Sequence, residues 1–423
     1  MGTGQEVVLL KKFPCVRSRS RVTCDPERTA WARDTTGKKS RGGAQRDVGP
    51  PIDTETTRCA AGTTRRSTTS GTEDGAHARS GPGPSACRRR SVELRSATTR
   101  HSNNPTPQSG CGLLFPVSRI GLGLAALGRP AYITLGRAED LGPDRSVEAL
   151  RHLTHALLDS AYAAGVRYFD AARSYGYAEE FLAWWLAERK IAADEVTVGS
   201  KWGYTYTGGW RIDAETHEVK DLSVSTLRRQ LSETRALLGE HLSLYQIHSA
   251  TLESGVLEDE AVMAELASLK EAGLAVGLTV TGPRQAETVE MALELGLFDA
   301  VQATWNLLER STSDVLGRAH AAGLVVIVKE ALANGRLTAR GGENRLLGIA
   351  RELDQTPDAI ALSAVLAQPW ADVVLSGAAT VETLHSNLSA LEVGYDDELD
   401  RRLRSLCEER DRYWSERGRL RWN

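Results

Sequence analysis

The chain has 423 residues and a formal net charge of −3 at pH 7. Of its 52 Lys+Arg and 55 Asp+Glu, 20 bases and 10 acids lie in residues 1–112, a net of +10, so the other 32 bases and 45 acids leave the remaining 311 residues at −13. Such an asymmetry divides the chain and excludes a uniformly basic nucleic-acid binder; the second piece is long enough for one large α/β barrel or two ordinary domains.

Residues 1–112 read as a disordered, basic, low-complexity leader. Runs such as Gly62-Thr63-Thr64-Arg65-Arg66-Ser67-Thr68-Thr69-Ser70-Gly71 carry no apolar period of 2 or 3.6, and a segment without apolar surface to bury does not offset its ordering entropy. The leader is expected either to act as a basic tail or not to be made at all. The only methionines are Met1, Met263 and Met291, so a shorter product would need a non-Met start, for example at Leu113 or Val117. Five cysteines (Cys15, Cys24, Cys59, Cys87, Cys111) fall here without a C-x-x-C pair, and only Cys407 lies beyond. That leaves no internal disulfide framework for the second piece and no metal site, and it suggests a cytoplasmic location. No stretch approaches the roughly 18 apolar residues of a membrane helix, and Lys11 and Lys12 follow the short apolar run Val7–Leu10 rather than precede one, unlike a secretory signal.

From about residue 118 a strand-then-helix pattern repeats. The predicted strands are Ile120–Leu127, Val166–Ala172, Val196–Trp202, Leu242–Ser249, Val276–Thr281, Ala300–Trp305, Leu324–Val328 and Val373–Gly377. Most are short continuous apolar runs, as parallel strands covered on both faces require. Between them lie amphipathic segments. Thr226–Leu238, capped by Ser223 or Ser225, stops before Gly239; Glu258–Ala272 stops at Gly273, Arg284–Leu295 at Gly296 and Thr312–Ala322 at Gly323. Eight such units over about 280 residues match an α/β fold of the (β/α)8 TIM-barrel type, with an open doubly wound sheet as the alternative. The barrel is expected over residues 113–394, and residues 395–423, highly charged but carrying Tyr413, Trp414 and Trp422, are expected to form a tail packing on or near it.

Four polar residues fall at the ends of three consecutive strands: Asp170 and, just beyond, Tyr175; Lys201; and His248. Barrel chemistry sits at the C-terminal ends of the strands. Singly, each has an ordinary structural explanation as a helix cap, a solvated base, a core histidine or core filling. Together they form a proton donor aimed at an oxygen that gains charge. A tyrosine has a reference pKa of about 10, a neighbouring Lys⁺ is expected to lower it, a carboxylate holds the lysine, and a histidine bonds the substrate oxygen. The hydride of a carbonyl reduction must come from a cofactor.

The series of motifs resembles the aldo-keto reductases over roughly residues 116–393. Phe169–Glu179 looks like that family's F-D-T-A-x-x-Y-G-x-S-E, Leu269–Gly273 like its L-K-x-x-G, Val301–Asn306 like its V-Q-x-x-Y-N, Leu332–Gly335 like its L-x-x-G, and Ser376-Gly377 followed by Asn387 like its P-G-x(9)-N. The resemblance implies catalytic roles for Asp170, Tyr175, Lys201 and His248. It implies a nicotinamide cofactor, NADPH with NADH as the alternative, held by Thr279, Gln302, Leu332, Ser376, Gly377 and Asn387. The chain departs from the family in three places. Thr279-Val280 stands where Ser-Asn is usual, the aromatic on which nicotinamide stacks falls near Lys329, and Thr383 occupies the position of an Arg that grips the 2′-phosphate. Trp202, Tyr204 and Trp210, in a Gly- and Thr-rich stretch with Tyr206, either wall a substrate pocket or pack that stretch onto the barrel. The expected activity is reduction of an aldehyde, ketone or sugar-like carbonyl, the partners being small molecules rather than nucleic acid or membrane. A cofactor-sensing regulatory barrel with little turnover is the alternative.

Overall fold

The computed structural model describes residues 118–423. The leader expected over residues 1–112 and the alternative starts at Leu113 and Val117 lie outside the described residues. The remainder contains eight parallel strands: β1 (Ile120–Gly123), β2 (Tyr168–Asp170), β3 (Thr197–Trp202), β4 (Leu242–Ala250), β5 (Ala275–Val280), β6 (Ala300–Thr304), β7 (Val325–Lys329) and β8 (Val373–Ser376). Each pairs with its neighbour in sequence, and β8 closes on β1 with Ile120 opposite Val374. This closure makes the sheet a barrel and excludes the open doubly wound alternative. The helices are α1 (Arg137–Leu141), α2 (Val147–Ala163), α3 (Ala178–Arg189), α4 (Val224–Leu238), α5 (Glu260–Glu271), α6 (Gln285–Leu295), α7 (Ser313–Ala321), α8 (Asn344–Glu352), α9 (Pro357–Leu366), α10 (Val381–Leu388), α11 (Asp397–Leu403) and α12 (Arg410–Gly418).

Local chemistry sets these boundaries. The Ser223 hydroxyl accepts from the Thr226 N–H at 3.3 Å and so caps α4. That helix then buries Leu227, Leu231, Thr234 and Leu238 on the face its 3.6-residue period directs at the sheet. The first strand is shorter than its apolar run suggests. After Gly123 the chain curls, the Leu127 and Gly128 N–H groups both donating to the Leu124 carbonyl at 3.0 and 3.2 Å. The Gly- and Thr-rich stretch after β3 is not a plain loop: Tyr204–Tyr206 pairs antiparallel with Glu218–Lys220.

Alternation along the strands separates two apolar layers. Tyr168, Leu244, Ala275, Ala300, Ile327, Val373 and Leu375 fill the barrel interior, while Phe169, Val198, Val276, Val301, Val326 and Val374 pack under the helices. Position 199 faces inward and is a glycine because a Cβ there would lie 2.5 Å from the Tyr168 hydroxyl. Helix α9 is buried nearly all round, and its two faces serve different layers. Ala359, Leu362 and Val365 belong to the barrel core, whereas Ile360, Ala361 and Ala364 join Leu399, Leu403, Tyr413 and Trp414 of the tail helices.

Leu403 is fully buried in that second cluster. Leu403→Ala is expected to destabilise the protein by about 2–5 kcal/mol, the usual cost of deleting a packed leucine side chain. Guanidinium unfolding monitored by circular dichroism measures it, and an unchanged midpoint would show that the tail contributes nothing.

Candidate active site

The strand ends bring the four polar residues together. Asp170 closes β2, and Lys201, two residues along from the inward-facing Gly199, points into the mouth from β3. The lysine ammonium donates to the Asp170 carboxylate and, at 2.9 Å, to the Ala171 carbonyl. The other Asp170 oxygen accepts from the Gln302 amide at 2.9 Å. Both charges are buried, where an unpaired charge is costly. Tyr175 lies in the turn between β2 and α3. That turn packs so tightly on the β1 loop that a Cβ on Gly128 would fall 2.1 Å from the Tyr175 carbonyl oxygen, and the Tyr177 N–H donates to the Gly128 carbonyl at 2.7 Å. Only glycine fits position 128. His248, on β4, places Nε2 3.5 Å from the Tyr175 hydroxyl and Nδ1 3.4 Å from the Ser174 hydroxyl.

Burial, rather than Lys201, governs the phenol. Removal from water raises the Tyr175 pKa well above its ordinary value, with further upward pushes from Tyr132 and Asp170, while Arg129 opposes. The expectation that Lys201 lowers it is therefore corrected. The ammonium sits 5.1 Å from the ring centroid, its charge answered by Asp170, so in the free site the phenol holds its proton. Burial also drives His248 well below its ordinary value, helped by Lys201, Arg129, Lys329 and Lys220. The imidazole is neutral. Burial likewise lowers Lys201 while Asp170 opposes it.

Asp170 and Tyr175 form the inner end of a cavity of about 420 Å³ that also reaches Gln302, Lys329, Leu332, Ser376, Gly377 and Asn387; small-molecule sites typically span roughly 300–1,000 Å³. At the far end Asn387 is held on both sides. With its amide oriented to satisfy both atoms, the oxygen accepts from the Ser376 hydroxyl at 2.8 Å and the nitrogen donates to Asp358 at 3.0 Å. Asp358, Glu382, Thr383 and Ser386 complete this end. Across the cavity, Arg340 pairs with Asp140 and donates to the Gly136 carbonyl at 3.1 Å.

Four of the remaining sequence-derived positions stand apart from this cavity. Trp202 follows Lys201 and points the opposite way, fully buried in the apolar layer under the helices, so it walls no pocket. Trp210 packs edge-on against Tyr177 and donates its indole N–H to the Arg145 carbonyl at 2.7 Å. Tyr204 stands beside the His248 ring, centroids 4.9 Å apart. The Thr279 hydroxyl oxygen is engaged by the Ser249 N–H at 2.7 Å.

Sequence reasoning missed the β1 loop. The Arg129 guanidinium lies 5.2 Å from the Tyr175 ring and 4.6 Å from Trp422 and pairs with Glu218 at 2.8 Å. Buried Arg137 donates to the carbonyls of Ala126 and Pro130. Both arginines belong to a long connection with no periodicity to mark them. Among the described residues no group of three or more His, Cys, Asp or Glu is arranged to hold a metal ion, and no helix is long and apolar enough to cross a membrane.

A closed (β/α)8 barrel with a Tyr–His–Lys–Asp set at its mouth and an elongated cavity beside it has the form of a nicotinamide-dependent oxidoreductase. The model of the aldo/keto reductase family matches residues 119–408. The chain belongs to the aldo-keto reductase family and is an oxidoreductase acting on carbonyl compounds with a nicotinamide cofactor. Its relatives include an NADH-specific methylglyoxal reductase of Escherichia coli, 22% identical and covering 70% of this chain and 96% of that one. A pyridoxal 4-dehydrogenase of Microbacterium luteolum is 24% identical over 68% of this chain and 94% of its own. A holo-form aldo-keto reductase of Bacillus halodurans shares the fold at a TM-score of 0.53, with 20% identity over 69% of this chain and 93% of that chain.

Because burial depresses the folded-state pKa of His248 below the ordinary 6.5, the unfolded chain binds that proton more readily. The contribution to stability is complete above about pH 6.5 and is lost as the pH falls toward the folded value. Unfolding free energies measured from about pH 7 down to 5 are expected to fall less steeply in His248→Asn than in wild type. The difference isolates His248 from His155 and His217, which burial also lowers.

Proposed function

We propose that Tyr175 delivers the proton and His248 orients the carbonyl oxygen of an aldehyde or ketone substrate, with Lys201 and Asp170 holding the site in register. One observation carries this: the phenol, whose hydroxyl lies 3.5 Å from the imidazole, stands at the inner end of a cavity whose other walls carry amide, hydroxyl and cationic groups suited to a dinucleotide. Asn334, whose buried Oδ1 has no hydrogen-bond partner among the described residues, also borders that cavity. The donor set fits a nicotinamide dinucleotide. Gln302 and Leu332 would border its ring end, and Ser376, Gly377 and Asn387 its adenosine end.

When bound, the dinucleotide supplies the hydride. The protein's part is electrostatic. The neutral imidazole shares its Nε2 with the substrate oxygen and the tyrosine hydroxyl. The protonated phenol stands ready to neutralise the alkoxide as it forms. The Lys201 ammonium, fixed by Asp170, stabilises negative charge developing on the phenol oxygen. Burial of the whole set keeps water from weakening these interactions.

NADPH is the usual partner of this family, but the far end of the cavity supports NADH. Asp358 and Glu382 line it, no Lys or Arg lies on α10, and Arg340 across the cavity is paired with Asp140, so a 2′-phosphate would meet carboxylates without an uncommitted bidentate cation on α10. The relatives suggest small aldehydes, methylglyoxal and pyridoxal among them, as the first substrates to try. The lone described cysteine, Cys407, is an exposed free thiol, in keeping with a cytoplasmic location.

Tyr175→Phe is expected to lower kcat by about 10²–10⁴-fold with cofactor affinity within a few-fold of wild type, read as NAD(P)H oxidation against a panel of aldehydes. Wild type that binds cofactor tightly yet reduces nothing faster than Tyr175→Phe would mark a sensor rather than an enzyme. Thr383→Arg is expected to raise the affinity for NADPH relative to NADH by about tenfold or more, since a phosphate–guanidinium contact is charge-assisted; calorimetric titration of both cofactors measures it.

A further inference from the structure

The charges around the cavity pair off with one remainder. Lys201 is bound to Asp170, Arg340 to Asp140, and Arg417 to Glu330 at 2.6 Å. Arg137 is surrounded by main-chain carbonyls. Lys329 has no such answer. It is the last residue of β7 and faces inward, two positions beyond Ile327 of the barrel interior, with its β6 neighbour Thr304 beside it in register. Its ammonium has three N–H groups and, among the described residues, one acceptor in reach, the Thr304 hydroxyl at 2.9 Å. The nearest carboxylate oxygen, on Glu330, is 3.9 Å away and already committed to Arg417. Lys329 lines the cavity together with Asp170, Tyr175 and Gln302, at the end where hydride must reach a carbon held beside the Tyr175 hydroxyl.

We propose that Lys329 makes this site discriminate between the redox states of its cofactor, holding the reduced, uncharged nicotinamide ring in preference to the oxidised ring with its positive charge. The proposal rests on the reading of the cavity as a nicotinamide site. The oxidised and reduced rings differ by one unit of charge where they face the protein, so a fixed cation beside them acts on one state and not the other. At an effective dielectric of about 20, a unit charge about 6–12 Å from another is worth on the order of tenfold to a hundredfold in affinity. Burial lowers Lys329 to about 8, so the residue remains mostly charged at neutral pH and still repels the oxidised ring.

Isothermal titration of the full chain with NADH and with NAD⁺ tests this without catalysis. Lys329→Met and Lys329→Gln remove the charge, Gln keeping a polar group near Thr304, and Lys329→Arg retains it. Thermal unfolding confirms that each variant is folded. The expected result is that both neutral variants bind NAD⁺ about tenfold or more tightly than wild type does, with NADH affinity changed less than about threefold, while Lys329→Arg keeps the wild-type ratio. Parallel shifts of the two cofactors, or no gain for NAD⁺ in whichever neutral variant folds, would overturn the proposal. Failure of wild type to bind either dinucleotide is a different outcome, which removes the nicotinamide-site reading itself and the proposal with it.

Discussion

The buried contact between Lys201 and Asp170 is the constraint around which the mouth of the barrel is arranged. Two opposite charges taken out of water persist only when each finds the other and further hydrogen bonds besides. Asp170 meets that demand with Lys201 on one oxygen and the Gln302 amide on the other. Lys201 adds the Ala171 carbonyl. These contacts join β2, β3 and β6, three strands that are not all adjacent, across the top of the interior. Tyr175 and His248 are then held against this pair from the β2 turn and from β4. The same burial that makes the ion pair obligatory also keeps the tyrosine protonated and the imidazole neutral, so the structural and chemical requirements of the site have one origin.

Much of this was legible in the sequence because the barrel imposes short-range rules. Glycines after each amphipathic run, a serine at the start of α4 and continuous apolar runs are local signals, and the eight strands fall where those signals place them. Asp170, Tyr175, Lys201 and His248 were visible because each follows an apolar run as an otherwise expensive polar residue. What escaped was decided by alternation and by distance. Trp202 sits one residue from Lys201, and in a strand that single step is the difference between the mouth and the helix layer. The pairing of Tyr204–Tyr206 with Glu218–Lys220 has no apolar pattern to announce it. Arg129 gains its place beside Tyr175 from Glu218 and from Trp422, residues far along the chain that no window of sequence places next to it.

The cavity itself has a polarity that composition does not reveal. Its reaction end holds an incompletely answered ammonium, Lys329, and its far end holds Asp358 and Glu382. The proposed preference for a dinucleotide with a plain ribose follows from that gradient. On the readings proposed above, the departures at Thr383 and Lys329 are related in effect: one concerns which dinucleotide is held, the other in which redox state.

The turn after β7 adds a last constraint. Glu330, Ala333 and Asn334 all adopt positive φ, at 54°, 48° and 55°, a backbone region that costs non-glycine residues energy. Glu330 is braced there by Arg417 from α12, nearly ninety residues away. Loops in this fold are commonly regarded as exchangeable parts on a fixed scaffold, but this one carries its brace elsewhere. A graft of the β7 turn into a related barrel would transfer its shape only if the final helix travelled with it. For the purposes of descent or engineering, the two segments form one module split by the chain.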